Sequence, residues 1–427
     1  MRRTRTPKAA TALAVGALAL ALAGCWPAPG QGPDRQGHDP FEERITVDSV
    51  PALAEDWTVD LGDEPAGTPI VSPSGIHVRA GTVLHTLEVA SGAGRWQFDP
   101  ALPVPGEMSD PVWQDGEVFV GYGYGNLGGD WQARSLDAAT GETARTLDGG
   151  LVDSVRGARL VQSSVGFGSG GPVVVFLAVQ GDLDVPSSRW EGVMQAGSFG
   201  DSITRVPATA GDRGVYHSGV SLLEPGDPPR TGNGVRMYTY ERPASCYSGS
   251  TPFVPCPAWA TPLDGTSATS PVLGPDEETL YVATTAGTVY AVDAATGAVR
   301  WTAAAGAPVN AEPALAGDHL FVPTADGDLV VLPADGCGAG TCEPLWTGDG
   351  GDALTAQPAV AAGVVFTGAA DGSVRAFAAA GCGAATCPAL WSASTGSRIT
   401  GAPAVSGGRL LVGTQDGRVV AYRPAVS

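Results

Sequence analysis

From Pro271 to Trp301 the chain reads PVLGPDEETLYVATTAGTVYAVDAATGAVRW. Apolar residues gather in short runs, LYVA and TVYAV, and turn-forming residues punctuate them. A period of two places alternate side chains on opposite faces of a strand. Gly-Pro-Asp, Ala-Gly and Ala-Ala-Thr-Gly mark the turns, where Gly supplies positive φ and Asp bonds its own backbone. Runs this short, joined by turns this tight, predict an antiparallel sheet of four strands.

The unit recurs. Pro271, Pro313, Pro358 and Pro403 each open such a strand, at spacings of 42, 45 and 45 residues. Gly287, Gly327, Gly372 and Gly417 fall in the central turn, three of them after an Asp. Upstream, Pro69, Pro111 and Pro207 fit the same slot. The 96 residues between Pro111 and Pro207 leave room for one divergent unit around ARLVQSSVGFGSGGPVVVFLAVQG. The count is eight units, or seven if that stretch adds none. Self-similarity at a period of 40 to 50 residues is the mark of a repeat architecture.

Tryptophans decide the closure. Trp259, Trp301, Trp346 and Trp391 each precede the next unit's proline by 12 residues, and Trp57 precedes Pro69 by the same 12. Trp57 therefore belongs to the last strand of a unit whose beginning is missing at the N-terminus. The final unit, ending near Tyr422, lacks its tryptophan strand. The offset predicts that the strand around Trp57 completes the C-terminal sheet. The fold class is all-β, an eight-bladed β-propeller of four-stranded blades over residues 52–427, closed by its N-terminal strand.

Ala291-Val-Asp293-Ala-Ala-Thr296-Gly297-Ala-Val-Arg-Trp301 resembles the tryptophan-docking motif of the quinoprotein (PQQ-type) eight-bladed propellers. A weaker copy ends at Trp96, and in LDAATGETAR Arg145 stands where the tryptophan would be. The resemblance implies that Trp57, Trp96, Trp259, Trp301, Trp346 and Trp391 each pack on a glycine turn of the neighbouring blade. It also raises an enzymatic reading, a PQQ-dependent dehydrogenase with PQQ and calcium as cofactors. Such enzymes typically carry adjacent cysteines, a calcium site of carboxylate and amide oxygens, and a basic residue by the quinone. No Cys-Cys and no Cys-x-x-Cys-His occur here. The resemblance then favours a non-catalytic member, like the quinoprotein-like lipoprotein of outer-membrane assembly, with no cofactor.

The N-terminus adds an address. Arg2, Arg3, Arg5 and Lys8 precede an apolar stretch, Ala9 to Ala23, too short to read as a membrane span. Leu22-Ala23-Gly24-Cys25 resembles the lipobox of bacterial lipoproteins, which implies a signal peptide over 1–24 and a lipid on Cys25. Residues 25–51, rich in Pro, Gly and charge and without periodicity, read as a flexible tether in which His38 is solvated. The expected location is the extracytoplasmic side of the cell membrane. Loss of the leader leaves 20 basic against 44 acidic residues, a formal net charge of -24, and no lysine. That balance argues against nucleic acid and against anionic lipid headgroups.

Six further cysteines remain. The count from central glycine to tryptophan is 14 in the plain unit but 19 in the units carrying Cys337/Cys342 and Cys382/Cys387. These cysteines enlarge one equivalent turn, and Cys246/Cys256 stand at the same phase in a longer loop. Four thiolates on one zinc would have to converge within about 2.3 Å of the ion. Three loops each holding their own pair, in an exported chain, favour three local disulfides over zinc or redox chemistry.

Other chemistry is sparse. His77, His85, His217 and His319 fall in different units and read as strand or turn residues. The Gly-rich run at 121–129 reads as a hairpin insertion. Residues just before the phased prolines should line one mouth of the central funnel: Thr68, Asp110, Ser270, Glu312, Gln357 and Ala402, with Asn310 nearby. Acids and amides there could take a cation or a peptide. Trp190, Tyr216, Tyr238 and Tyr240 cluster in the divergent region, as blade-stacking residues or a partner patch. The functional expectation is a monomeric, membrane-anchored binding or scaffold propeller whose partner is an envelope protein or peptide.

Overall fold

A computed structural model describes residues 25–425 apart from 63, 125–129, 168–172, 197–204, 225–229, 247–252 and 268. The leader and the centre of the Gly-rich run lie outside the described residues. The chain forms an eight-bladed, all-β propeller of four-stranded antiparallel blades, with only three short 3-10 turns among the described residues.

Blade 5 shows the plan. Val272–Leu273 lies innermost, followed outward by Thr279–Ala283, Thr288–Asp293 and Val299–Ala304. Its two middle strands are buried on both faces, because neighbouring blades cover each side. Clean alternation survives only in the outer strands, such as Gly94–Phe98, which lie at the rim. The core is therefore a ring of inter-blade layers. Between blades 5 and 6, Tyr281, Val289 and Ala291 pack with Leu320, Val322 and Leu332. The divergent stretch forms blade 3, from Leu151–Arg156 to Arg189–Ala196. Its sheet runs on into blade 4 through Gln195 and Leu222.

Blade 8 is built from both chain ends. Leu53–Asp60 pairs antiparallel with Arg418–Pro424, with Trp57 opposite Ala421. Asp56, 10% exposed, lies between Arg409 Nε at 2.9 Å and Arg423 Nε at 2.6 Å, which ties this strand to two others of the blade.

Glycine turns and indole rings interlock between blades. A Cβ at Gly141 would stand 2.7 Å from the Trp96 ring, and one at Gly297 would stand 2.6 Å from that of Trp259. Both glycines have positive φ, so side-chain absence and backbone freedom are required together. Gly92 meets Trp57, Gly336 meets Trp301 and Gly381 meets Trp346 in the same way. In blade 2, where Arg145 replaces the ring, its guanidinium reaches Asp184 of blade 3 at 2.7 Å.

All three cysteine pairs are local disulfides. Their loops do more than close a turn. Thr341–Cys342 pairs in parallel with the outer strand of blade 5, and Thr386–Cys387 with that of blade 6. The Cys246–Cys256 loop reaches blade 3, where the Val193 N–H donates to the Phe253 carbonyl at 2.9 Å. Each loop thus clips onto the exposed edge of the preceding blade, satisfying backbone groups that an edge strand leaves open.

Candidate functional site

The segment expected to be a loose tether is instead bound around the axis of the ring. Trp26, fully buried, exchanges two backbone hydrogen bonds of 2.8 Å with Val71 of blade 1. The Pro27 carbonyl then accepts from Trp113 of blade 2, and that of Pro33 from Ala210 of blade 4. Asp34 accepts from Leu273, Gln36 from Leu315 and Gly37 from Val360, in blades 5, 6 and 7. Arg35 donates to the Asp153 carbonyl of blade 3 at 2.8 Å. Glu42 accepts from the Gly408 N–H, and Arg44 donates to the Gly407 carbonyl, in blade 8.

The physical reason lies in the inner strands. Val71, Trp113, Leu273, Leu315 and Val360 each stand two residues after a phased proline. Their N–H groups face the axis, where no fifth strand exists to accept them. A buried unpaired N–H costs roughly 1–3 kcal/mol. The Pro/Gly-rich strap supplies carbonyls without needing a period of its own. His38, expected to be solvated, pairs instead with Val360 in a short parallel bridge and is half-buried, which pushes its pKa down.

Arg35 occupies the axis and is 7% exposed. Burial pushes its guanidinium pKa down, while Glu312 and Asp153 oppose that shift. Beside it lies a cavity of about 120 Å³ lined by Pro29, Arg79, Asp110, Asp153 and Arg205 among others. Asp110 lies 2.7 Å from Arg79 Nε, and buried Asp153 is ion-paired to Arg205.

The residues expected at the funnel mouth come together as links between neighbouring blades. Ser270 donates to Glu312 at 3.0 Å. Gln357 donates to the carbonyls of Arg35 at 2.7 Å and Pro313 at 2.8 Å. Thr68 accepts from the Ala402 N–H at 3.2 Å. Asn310 stays exposed. The arginines that partner the acids, and the strap itself, were not evident from the sequence.

Each histidine lies in a strand, but His77 and His85, expected in different units, stand on paired strands of blade 1, while His217 and His319 lie in other blades. His77 is buried between Ser72 and Thr86, both at 2.8 Å, and burial lowers its pKa to about 3. His217 is buried, and burial with Arg236 and Arg205 lowers its pKa to about 4. Among the described residues no three His, Cys, Asp or Glu side chains are grouped to hold a metal. The aromatic cluster of the divergent region stacks blades: Trp190 lies 6.3 Å from Tyr238, and Tyr216 lies 6.1 Å from Trp259. Trp190 Nε1 donates to the Tyr240 carbonyl at 3.1 Å, so it is the docking ring of blade 3.

Known proteins resemble this architecture. The family model described as outer membrane protein assembly factor BamB matches residues 257–337 and 336–426. No curated protein sequence matches the chain. Among solved structures, quinohemoprotein alcohol dehydrogenase from Comamonas testosteroni superposes with a TM-score of 0.69 at 15% identity, covering 96% of this chain and 82% of that one. A europium-containing methanol dehydrogenase gives 0.64 at 14% identity, covering 94% and 98%. BamB from Moraxella catarrhalis gives 0.55 at 16% identity, covering 87% and 97%. The chain is an eight-bladed β-propeller, like these solved structures in fold. Its fold is shared by dehydrogenases and by an assembly factor alike.

The fold thus raises PQQ with calcium. The residues at the axis do not fit them. The cavity of about 120 Å³ falls well below the roughly 300 Å³ of ordinary small-molecule pockets. Calcium takes about 6–8 oxygen ligands, whereas both carboxylates at this cavity are engaged by arginines.

Proposed function

We propose that this protein is an extracytoplasmic binding or scaffold propeller, monomeric and non-catalytic, held at the membrane by a lipid on Cys25 and acting on an envelope protein or peptide. One observation carries the reading: the centre of the ring is filled by the chain's own strap, with Arg35 on the axis. A propeller whose axis is plugged presents its loops and rims, not a reaction chamber. The leader, basic and then apolar, and the lipobox support the location.

The test adds PQQ and calcium to the purified protein with an alcohol or sugar substrate and an artificial electron acceptor. No saturable reduction is expected. Saturable turnover that depends on both additions overturns the reading in favour of a dehydrogenase. Fractionation of cells carrying Cys25→Ser is expected to shift the protein from membrane to soluble fraction, and retention on the membrane overturns the anchor.

A further inference from the structure

The strap fixes where the chain leaves the ring. Trp26 is bonded to Val71 through both its N–H and its carbonyl, in antiparallel sense. Cys25 therefore follows on the side of Ser72 and the Ser72–Gly75 hairpin turn. That turn lies on one definite face. The Ala334 N–H donates to Asp318 and that of Ala379 to Gly363, so first-hairpin turns and cysteine loops share a face. Residues 42–47 cross the same face, with Glu42 on Gly408 and Val47 beside Gly363. On it Phe41 is 48% exposed and Val47 37% exposed, two of the few large apolar side chains open to solvent. Central-turn glycines mark the opposite face: Gly287 approaches Ala307 and Gly372 approaches Ser397. Asn310 lies on that opposite face, in the loop that follows Ala307.

We infer that the propeller docks flat on the bilayer, with the first-hairpin face, Phe41 and Val47 against the lipid headgroups and the Asn310 mouth turned away. This rests on the lipid-anchored reading. A free tether of 26 residues would let the ring tumble over tens of ångströms, by about 5–6 Å times the square root of its length. A strap bonded from its second residue onward leaves no such freedom. Apolar side chains beside a lipid attachment add burial where a single acyl chain holds weakly. The two faces stand about one strand apart, roughly 17–20 Å, which is ample to resolve with a membrane quencher.

The experiment uses full-length protein, processed in cells and reconstituted in phosphatidylcholine vesicles. A single cysteine is introduced as Asp48→Cys or Asn310→Cys and labelled with a small fluorophore. Nitroxide-headgroup lipids are expected to remove most of the emission from position 48 and little from position 310. Equal quenching at both, or the reverse order, with lipid present on Cys25 by mass spectrometry, overturns the docking alone. Absence of that lipid overturns the anchored reading and the docking with it. In the soluble Cys25→Ser protein, the amides of Val71, Trp113, Leu273, Leu315 and Val360 are expected to exchange slowly. Exchange as fast as in open loops overturns the seated strap, whatever the state of Cys25.

Discussion

The indole N–H of Trp391 donates to the carbonyl of Leu53 at 2.9 Å, across 338 positions of sequence. The rings of Trp57, Trp96, Trp259, Trp301 and Trp346 each lie over a glycine turn between the third and fourth strands of the next blade. In blade 8 those strands come from opposite chain ends, so that turn does not exist. Leu53 stands in for it. Trp391→Phe keeps most of the edge contact to Tyr422, 5.1 Å away, and deletes the hydrogen bond. The expected loss is about 1 kcal/mol, read as a lowered thermal midpoint.

Asp56 is the charged counterpart of this clasp. Asp56→Ala leaves Arg409 and Arg423 facing each other without their carboxylate. Removing one partner of a fully buried pair costs about 3–5 kcal/mol. Arg423 is half-exposed, so about 2 kcal/mol is expected after allowing for solvent screening. Denaturant unfolding checks this, and high salt should shrink the difference between variant and parent.

Gly297→Ala is expected to destabilise strongly, because the new methyl meets the Trp259 ring at 2.6 Å and the backbone has φ of +78°. Left-handed backbone alone costs about 1–2 kcal/mol for a residue with Cβ. Gly338→Ala, with φ of +74° and open space around it, isolates that backbone term. The difference in thermal midpoint between the two variants measures the docking contact.

Cys337→Ser with Cys342→Ser removes a five-residue crosslink. Chain entropy over so short a loop gives about 2 kcal/mol. The clip on blade 5 should loosen as well. The Thr302 N–H, which donates to the Gly340 carbonyl at 3.0 Å, is expected to exchange faster with deuterium in the variant. Unchanged protection there would show that the strand stays paired without its disulfide.

Burial raises the Asp39 carboxyl to about 6, with Glu42 adding to the shift and the Phe41 N–H opposing it. A raised carboxyl binds its proton more tightly folded than unfolded. The strap therefore carries a penalty that is complete above pH 6 and gone below about pH 4. Asp39→Asn is expected to raise the unfolding midpoint at pH 8 and to lose that advantage near pH 4. His77 acts oppositely: its depressed pKa destabilises the fold progressively as pH falls from 6.5 toward 3. Comparing variant with parent at each pH separates the two.

The parts of this fold that repeat were legible, and the parts that occur once were not. Pro271, Pro313, Pro358 and Pro403 set a phase, and every strand near them follows from it. The cysteine pairs were legible because they interrupt that phase by the same five residues. Trp190 was legible as a blade-stacking residue but not as a docking ring, because it stands 17 positions before Pro207 instead of the usual 12. The partners of Asp110 and Asp153 escaped because Arg79 and Arg205 lie 31 and 52 positions away, with no pattern connecting them. The strap escaped for a deeper reason. Its residues are selected by where their carbonyls fall against six distant N–H groups, and carbonyl placement leaves no trace in side-chain type.

That same strap acts as a gauge of blade number. Twelve residues, Trp26 to Gly37, meet blades 1 through 7: six blades through N–H donors that each reach a different carbonyl, and blade 3 through the Asp153 carbonyl that accepts from Arg35. A ring with one blade more would be wider than the segment can follow, and a ring with one fewer would leave carbonyls stacked at the axis. Duplication or loss of a repeat would be rejected by a stretch of chain that shares no sequence with any repeat.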